Sequence, residues 1–154
     1  MATEVKAVPF KQVDISEKPV VYREATAKGK IRLRKETVAR AKRGGVEKGD
    51  VVEIATLTSV LGAKKTTEIV ALTHLLRIEK IEPKVKLLED GLEVTVTVKA
   101  HEKTGVEMEA LAGVSVALLN VWDVVKQYEK DSSGQYPSTV IESIRVVKKV
   151  KGIK

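Results

Sequence analysis

Charged side chains of both signs stand near the two ends of one long, otherwise apolar segment, Lys103–Lys126. Asp123 and Lys126 are three residues apart, so a helix would place them side by side. Such a pair is either a surface ion pair, worth a few tenths of a kcal/mol, or an acid–base pair whose lysine pKa burial can tune. Glu107 and Glu109 add two carboxylates near the start of the segment. Acid–base chemistry on an anionic substrate is the reaction type that these residues favour.

The spacing of Glu109 and Asp123 limits how they could act together. They are fourteen residues apart, close to a whole number of helical turns, so they share a face about 21 Å apart along the axis. One small substrate cannot readily touch both within a single chain. If both ends serve one reaction, we expect the site to be built between subunits.

Further candidate residues stand at the ends of other predicted elements. Lys48 precedes Asp50, which begins a helix-capping pattern, and the start of a helix attracts anions. Lys48 is therefore a candidate phosphate contact, although many such lysines are only solvated. Lys64 and Lys65 form a basic cluster beside two threonines. His74 lies in an apolar run, where histidine is either a core residue or a catalyst.

The hydrophobic periodicity predicts an α+β fold, close to ferredoxin-like, with helices on one face of an antiparallel sheet. Thr104 and Glu107 are spaced as a capping box that would begin a helix of about 25 residues. Arg23 is interpreted as an outward-facing charge on its strand. The other predicted elements are an exposed-edge strand over Val20–Leu33, a helix over Lys35–Arg43, a helix from Asp50 that ends or bends at Gly62, a hairpin of Ile78–Leu88 and Leu92–Ala100, a final strand over Thr139–Val147, and a basic tail.

The composition is that of a soluble, cytoplasmic, single-domain protein spanning residues 1–154, with a flexible arm at 1–11. Hydrophobic residues make up 43% and charged residues 32%, which excludes a disordered chain. The absence of cysteine excludes disulfides and thiolate metal sites, and two histidines leave little for an imidazole metal cage. No membrane span or secretory signal is expected. A single asparagine against many Lys, Glu and Val residues is typical of a thermophile.

The formal charge of +7 favours an anionic partner, either nucleic acid or a phosphorylated small molecule. The one Trp, three Tyr and one Phe do not interleave with basic runs, as base-stacking platforms do. We therefore expect a small-molecule substrate and no nucleic acid.

The run Lys103–Leu111 (KTGVEMEAL) resembles the signature of the MoaC family, the cyclic pyranopterin monophosphate synthases of molybdenum cofactor biosynthesis. The resemblance covers about residues 12–149, and a thermophilic archaeal source is expected. Shorter segments resemble further family motifs in the same order: Val13–Ser16 the opening, Arg23–Ala25 the V-R-E-A strand, Lys48–Val51 the K-G-D-V helix start, Ala63–Thr66 the A-K-[RK]-T cluster, Leu72–His74 the L-C-H motif and Trp122–Lys126 the Y-D-M-x-K motif. The chain departs from the family's C-H-P at Leu75 and from its glycine- and serine-rich tail around Lys149.

The resemblance implies a lyase that acts on the cyclised GTP intermediate (8S)-3',8-cyclo-7,8-dihydroguanosine 5'-triphosphate. The reaction rearranges the base and ribose into a pyranopterin, closes a cyclic phosphate and releases pyrophosphate. The resemblance further implies a homohexamer, a trimer of dimers with sites at subunit interfaces, and no metal or organic cofactor.

The resemblance also implies roles for individual residues. Asp123 and Lys126 correspond to the central acid–base pair, and Lys48 to the other catalytic lysine. Five residues would line the substrate pocket: Leu72, Thr73, His74, Met108 and Glu109. Four further positions would contact the substrate or its phosphates: Glu107, Arg23, either Lys64 or Lys65, and Lys149 as the matching tail lysine.

Two other functions stay open from sequence. A basic α+β module could bind nucleotides or RNA without turnover, and a structural assembly subunit could use the small residues of the long helix. Retention of Asp123, Lys126, Lys48 and both glutamates argues against the non-catalytic module.

Overall fold

The computed structural model describes residues 2–3 and 8–153. Met1, residues 4–7 and Lys154 lie outside the described residues, so the predicted arm at 1–11 is covered only in part. Within it, residues 8–11 have no helix or strand. The elements in chain order are β1 Val21–Arg32, α1 Lys35–Lys42, α2 Val51–Lys64, α3 Thr66–Ile69, β2 Lys80–Leu88, β3 Gly91–Glu102, α4 Glu107–Glu129 and β4 Val140–Lys151.

The four strands form one antiparallel sheet in the order β2-β3-β1-β4. This order, together with the succession of strands and helices along the chain, confirms the predicted ferredoxin-like α+β fold. The predicted hairpin is also confirmed, with β2 and β3 joined at Glu89 and Asp90. The expectation that β1 lies at an edge is wrong, because β1 pairs with β3 on one side and β4 on the other.

The core lies between the sheet and the two long helices. Alternate residues of β3, from Leu92 to Ala100, are fully buried, as a strand with one covered face requires. The buried stripe of α4 packs on this face with residues at three- and four-residue spacing: Ala110, Val114, Ala117, Leu118, Val121 and Val125. Sheet and helices thus bury complementary apolar faces, which is the main favourable term in folding.

Helix α4 has 23 residues, close to the predicted length, and among the described residues it is the one helix long and apolar enough for a membrane span. A buried core helix meets the same criteria, and α4 packs on the sheet and on α2. The predicted capping box is wrong. The helix begins at Glu107 itself, its N-cap residue is Val106, and no side chain of that residue caps it. The Glu107 carboxylate, which a capping box would direct to the Thr104 N–H, pairs with Lys149 of β4 instead.

Helix α2 begins as predicted, since the Asp50 side chain accepts a hydrogen bond from the Glu53 N–H. The alternative that the helix ends at Gly62 is wrong, because α2 continues to Lys64, whereas a bend there stays a prediction. Gly62 lies where α2 crosses α4, and a Cβ atom there would come within 2.6 Å of the Ala112 carbonyl oxygen. A Cβ on Gly113 of α4 would likewise meet the Ser59 carbonyl oxygen at 2.8 Å. Both glycines therefore allow a close approach of two backbones.

Strand β4 is longer than the sequence predicted, and three of the four lysines expected in a basic tail, Lys148, Lys149 and Lys151, belong to it. The fourth, Lys154, lies outside the described residues. Lys148 and Lys149 pair with Thr26 and Ala25 of β1. The register between β1 and β4 shifts twice. Near one shift, Ser143 has a positive φ of 59°.

A buried carboxylate ties three segments together at the end of α4. Glu129 is 1% exposed and accepts hydrogen bonds from the Arg34 N–H at 3.1 Å, the Thr139 hydroxyl at 2.7 Å and the Thr37 hydroxyl. Because these donors come from the start of α1 and the segment before β4, Glu129 anchors both to the C-terminal turn of α4.

The close crossing of α2 and α4 predicts how Gly62→Ala will change stability. Helix propensity alone would stabilise α2 by about 1 kcal/mol, whereas the Cβ contacts with Ala112 and Val116 should destabilise the protein by about 1–3 kcal/mol. Denaturant unfolding measures whether the substitution raises or lowers the free energy of unfolding. Gly45→Ala is the matched control, since its Cβ meets only flexible or more distant atoms of Arg40 and Arg43. A Gly62→Ala protein more stable than the parent would contradict the close approach.

Candidate active site

Three charged side chains meet near the C-terminal end of α4, and we call them the acid–base cluster: Lys48, Asp123 and Lys126. The Asp123 carboxylate lies between two ammonium groups, with Oδ2 3.2 Å from Lys48 Nζ and Oδ1 3.1 Å from Lys126 Nζ. The Lys48 ammonium also lies 3.4 Å from the Asp123 carbonyl oxygen. Helical spacing brings Lys126 to Asp123, while Lys48 comes from the loop before α2.

The electrostatics of the acid–base cluster suit an anionic group. Hydrogen bonds from Lys126 and then Lys48 lower the pKa of Asp123 below its ordinary value. With two ammonium groups around one carboxylate, the cluster keeps an excess positive charge. All three side chains are partly exposed, so a phosphorylated substrate can reach them. The geometry therefore allows charge stabilisation and proton transfer at the same place.

A second group of predicted residues lines a cavity of about 200 Å³ at the other end of α4, which we call the carboxylate pocket. Its walls are the first turn of α4, the loop before it and the segment that follows α3. The lining residues are Leu72, Thr73, His74, Leu76, Thr104, Gly105, Glu107, Met108 and Glu109. The structure thus brings together the five residues predicted to line a pocket, although they come from two segments more than thirty residues apart.

Glu109 is the most buried acidic side chain of the carboxylate pocket, at 4% exposure. Burial raises its pKa to about 7, and the negative charge of Glu107 adds to the effect. A carboxyl group with this pKa changes its protonation near neutral pH. It can therefore accept hydrogen bonds from ligand N–H groups when ionised and donate one when protonated.

Glu107 differs from Glu109 because it has cationic neighbours. Its Oε1 lies 2.5 Å from Lys149 Nζ. Burial raises the pKa of Glu107, but hydrogen bonding to Lys149 and the charges of Lys149 and Arg23 outweigh burial, so the pKa lies below its ordinary value. Lys149 thus lies beside a residue that lines the pocket, and β4 carries it, not a loose tail. Its predicted contact with the substrate stays a prediction.

Arg23 lies behind the carboxylate pocket. The strand pattern indicated an outward-facing charge at this position, and that interpretation is wrong. It is 4% exposed, and its guanidinium donates to the carbonyl oxygens of Glu102 and Lys103 at 3.3 and 3.2 Å. These bonds fix the loop between β3 and α4, which carries Thr104 and Gly105 into the pocket wall.

The structure does not bring Lys64 or Lys65 into either group. Lys65 pairs with Glu68 at 3.2 Å, and both lysines line a separate surface cavity with Leu57, Leu61 and Leu75. Their predicted phosphate contact stays a prediction. In the described part of the chain, no group of three or more His, Asp or Glu side chains is arranged to hold a metal ion.

Sequence reasoning missed the N-terminal segment that holds one wall of the pocket. Gln12 donates to the Thr73 carbonyl oxygen at 3.0 Å, and His74 Nε2 lies 2.7 Å from the Val13 carbonyl oxygen. Lys103 donates to the Ser16 carbonyl oxygen at 3.1 Å. The acceptor in each of these contacts is a backbone carbonyl oxygen. Because every residue type has one, no residue pattern predicts such contacts, and only the family resemblance at Val13–Ser16 pointed to this segment.

The acid–base cluster and the carboxylate pocket lie at opposite ends of α4, about 21 Å apart along the helix axis. Together with the ferredoxin-like sheet, they define an α+β protein with a lysine–aspartate cluster at one end of its long helix and a glutamate-lined pocket at the other. The profile described as "MoaC family" matches residues 12–152. The chain therefore belongs to the MoaC family.

Several relatives cover almost the whole chain, each described as a "probable cyclic pyranopterin monophosphate synthase". The protein of Sulfurisphaera tokodaii is 55% identical over 92% of this chain and 93% of its own length. That of Aeropyrum pernix is 54% identical over 91% and 96%. That of Thermococcus kodakarensis is 49% identical over 97% and 96%.

The pKa of Glu109 predicts how stability depends on pH. Because folding raises this pKa from 4.5 to about 7, the folded state binds more protons between these values, and the free energy of unfolding falls as pH rises. Glu109→Gln cannot ionise, so its profile should be flatter, and at about pH 8 the variant should be more stable by about 1–3 kcal/mol. Denaturant unfolding from about pH 5 to about pH 8 measures both slopes.

Glu107→Gln is the matched control with the opposite sign. Folding lowers the pKa of Glu107, so its carboxylate stabilises the protein above the unfolded-state value, and the variant should lose stability at neutral pH. If the free energy of unfolding depended on pH equally in Glu109→Gln and in the parent, the raised pKa of Glu109 would be contradicted.

Proposed function

We propose that this protein is a cyclic pyranopterin monophosphate synthase of molybdenum cofactor biosynthesis. The observation that carries the proposal is Asp123 held between Lys48 and Lys126 at 3.2 and 3.1 Å in a chain of the MoaC family. The substrate is the cyclised GTP intermediate, and the product leaves with release of pyrophosphate. The enzyme is a lyase, and the proposed location is the cytoplasm.

The carboxylate pocket and the acid–base cluster act as two half-sites and divide the chemistry of the reaction between them. The carboxylate pocket takes the guanine-derived ring, whose N–H groups suit the buried Glu109 carboxylate. The acid–base cluster takes the triphosphate end. Closing the cyclic phosphate requires that a sugar hydroxyl lose its proton and attack the nearest phosphorus while pyrophosphate departs. Asp123 and the two lysines supply proton transfer and positive charge for that step.

We propose that each active site combines the carboxylate pocket of one subunit with the acid–base cluster of another, within a homohexamer arranged as a trimer of dimers. Two observations support a partner at the pocket. The half-sites are too far apart for one substrate in one chain, and exposed apolar side chains surround the outer face of α2 next to the pocket. These side chains are Leu57, Leu61, Ile69, Leu72 and Leu75, of which Leu75 is 85% exposed. Leu72 also lines the pocket.

The direct test supplies the purified protein with the cyclised GTP intermediate and follows pyrophosphate release and pterin fluorescence after oxidation. Turnover supports the synthase. Binding without turnover by a folded oligomer would favour the alternative, a non-catalytic nucleotide-binding module.

Asp123→Asn and Lys126→Ala should each lower kcat by at least about a hundredfold, since each removes a proton-transfer or charge-stabilising group. Size-exclusion chromatography should show unchanged assembly, because neither substitution alters the exposed apolar side chains around α2 that are proposed to meet the partner. Lys130→Ala is the matched control one turn beyond Lys126 and should keep near-parent activity. Near-normal rates for either cluster variant would refute its role.

Mixing two inactive variants tests the interfacial site. Asp123→Asn damages one half-site and Glu109→Gln the other, so after co-expression or subunit exchange about one site in four should combine two intact halves. Activity should therefore recover to roughly a quarter of the parent value. If each site lay within one chain, no mixture would recover activity.

A further inference from the structure

The loop that carries Lys48 is held to α4 by more than the Lys48–Asp123 ion pair. Residues 43–50 connect α1 to α2, and Gly44 and Gly49 adopt positive φ angles of 73° and 135°. A glycine-containing loop has high conformational freedom. A lysine on such a loop needs additional restraints to keep its ammonium at a fixed point beside Asp123.

Four side chains provide these restraints, and we call them the Tyr128 clamp: Arg40, Glu47, Gln127 and Tyr128. The Glu47 N–H donates to the Tyr128 hydroxyl at 3.0 Å, and Gln127 Nε2 donates to Glu47 Oε2 at 3.2 Å. The Arg40 guanidinium lies over the Tyr128 ring, 4.3 Å from its centroid, and donates to the Gly45 carbonyl oxygen at 3.1 Å. The clamp thus joins the end of α1, the loop and the last turns of α4.

The position of the clamp relates it to the acid–base cluster. Glu47 directly precedes Lys48, and Gln127 follows Asp123 by four residues on the same helix face. The loop therefore contacts α4 twice, through the Glu47 backbone and side chain at Tyr128 and Gln127, and through the Lys48 side chain at Asp123. The first contact fixes the backbone from which the second extends.

We propose that Tyr128 is a positioning residue that acts through Glu47 to hold the Lys48 ammonium against Asp123. Its hydroxyl accepts the Glu47 N–H and its ring packs under Arg40, so both groups act on the loop that carries Lys48. The expected effect of Tyr128 on kcat rests on the proposed synthase function. The positional part, the placement of Lys48, stands on the contacts alone.

Tyr128→Phe is the decisive variant, because it removes the hydroxyl and keeps the ring under Arg40. We expect kcat to fall by about five- to tenfold, the effect of one lost hydrogen bond. KM should change less than kcat, since the carboxylate pocket, which binds the ring, is unaltered. Tyr136→Phe is the matched control. The centroid of its ring lies 5.2 Å from that of Trp122, and among the described residues no hydrogen bond is made by its hydroxyl.

A second measurement needs no substrate and no turnover. Acylation of Lys48 with acetic anhydride, followed by peptide mass spectrometry, reports how firmly Asp123 holds the ammonium. Lys48 in Tyr128→Phe should react faster than in the parent and approach the rate in Asp123→Asn, while Tyr136→Phe should match the parent. Gln127→Met, which keeps the shape of the side chain and removes its donor, should give an intermediate rate and serves if Tyr128→Phe does not fold.

The outcomes separate the two proposals. If the parent protein shows no turnover, the synthase function fails, and the acylation rates still decide whether Tyr128 positions Lys48. If the parent turns over and Tyr128→Phe has parent-like acylation, the positioning proposal is overturned. It is also overturned if Lys48 becomes more reactive and kcat stays within about twofold of the parent, or if only KM changes.

Discussion

The arrangement of the whole site depends on the close crossing of α2 and α4. Gly62 and Gly113 let the two helix backbones approach until the Ala112 and Ser59 carbonyl oxygens occupy the space of the missing Cβ atoms. The helices run in opposite directions, so the start of α2 meets the end of α4 and the end of α2 meets its start. This crossing places Lys48 at Asp123 and carries the chain after α3 to the first turn of α4.

Most of the fold could be predicted because it follows from periodicity. The buried stripe of α4, the alternation of β3 and the hairpin turn each have a local signal, and the order of the elements then restricts the topology. The errors arise where a distant segment decides a local feature. Thr104 and Glu107 have the spacing of a capping box, but Lys149 from β4 pairs with Glu107. The alternation of β1 identifies a strand and does not say whether one neighbour or two will pair with it.

Part of the site could also be predicted from the sequence. Asp123 and Lys126 share one helix face, so their spacing alone predicts the ion pair. The approach of Lys48 depends on the helix crossing, and only the resemblance to the MoaC family pointed to it. The Tyr128 hydroxyl and the Val13 carbonyl oxygen gave no sequence signal, because a lone tyrosine and a backbone group have no distinguishing pattern. The burial that sets the pKa of Glu109 likewise becomes visible only once the pocket has formed.

Helix α4 carries parts of both proposed half-sites on one uninterrupted run of backbone, and this restricts how the gene can change. Substitutions on its exposed face leave the ends of the helix where they are. Inserting or deleting one residue between Glu109 and Asp123 would rotate one half-site by about 100° relative to the other and shift it by about 1.5 Å. The number of residues between Glu109 and Asp123 is thus more strictly constrained than the identity of the exposed residues between them. Length variation among orthologues should accordingly collect in the loops, such as the segment between Lys130 and Thr139, and avoid the middle of this helix.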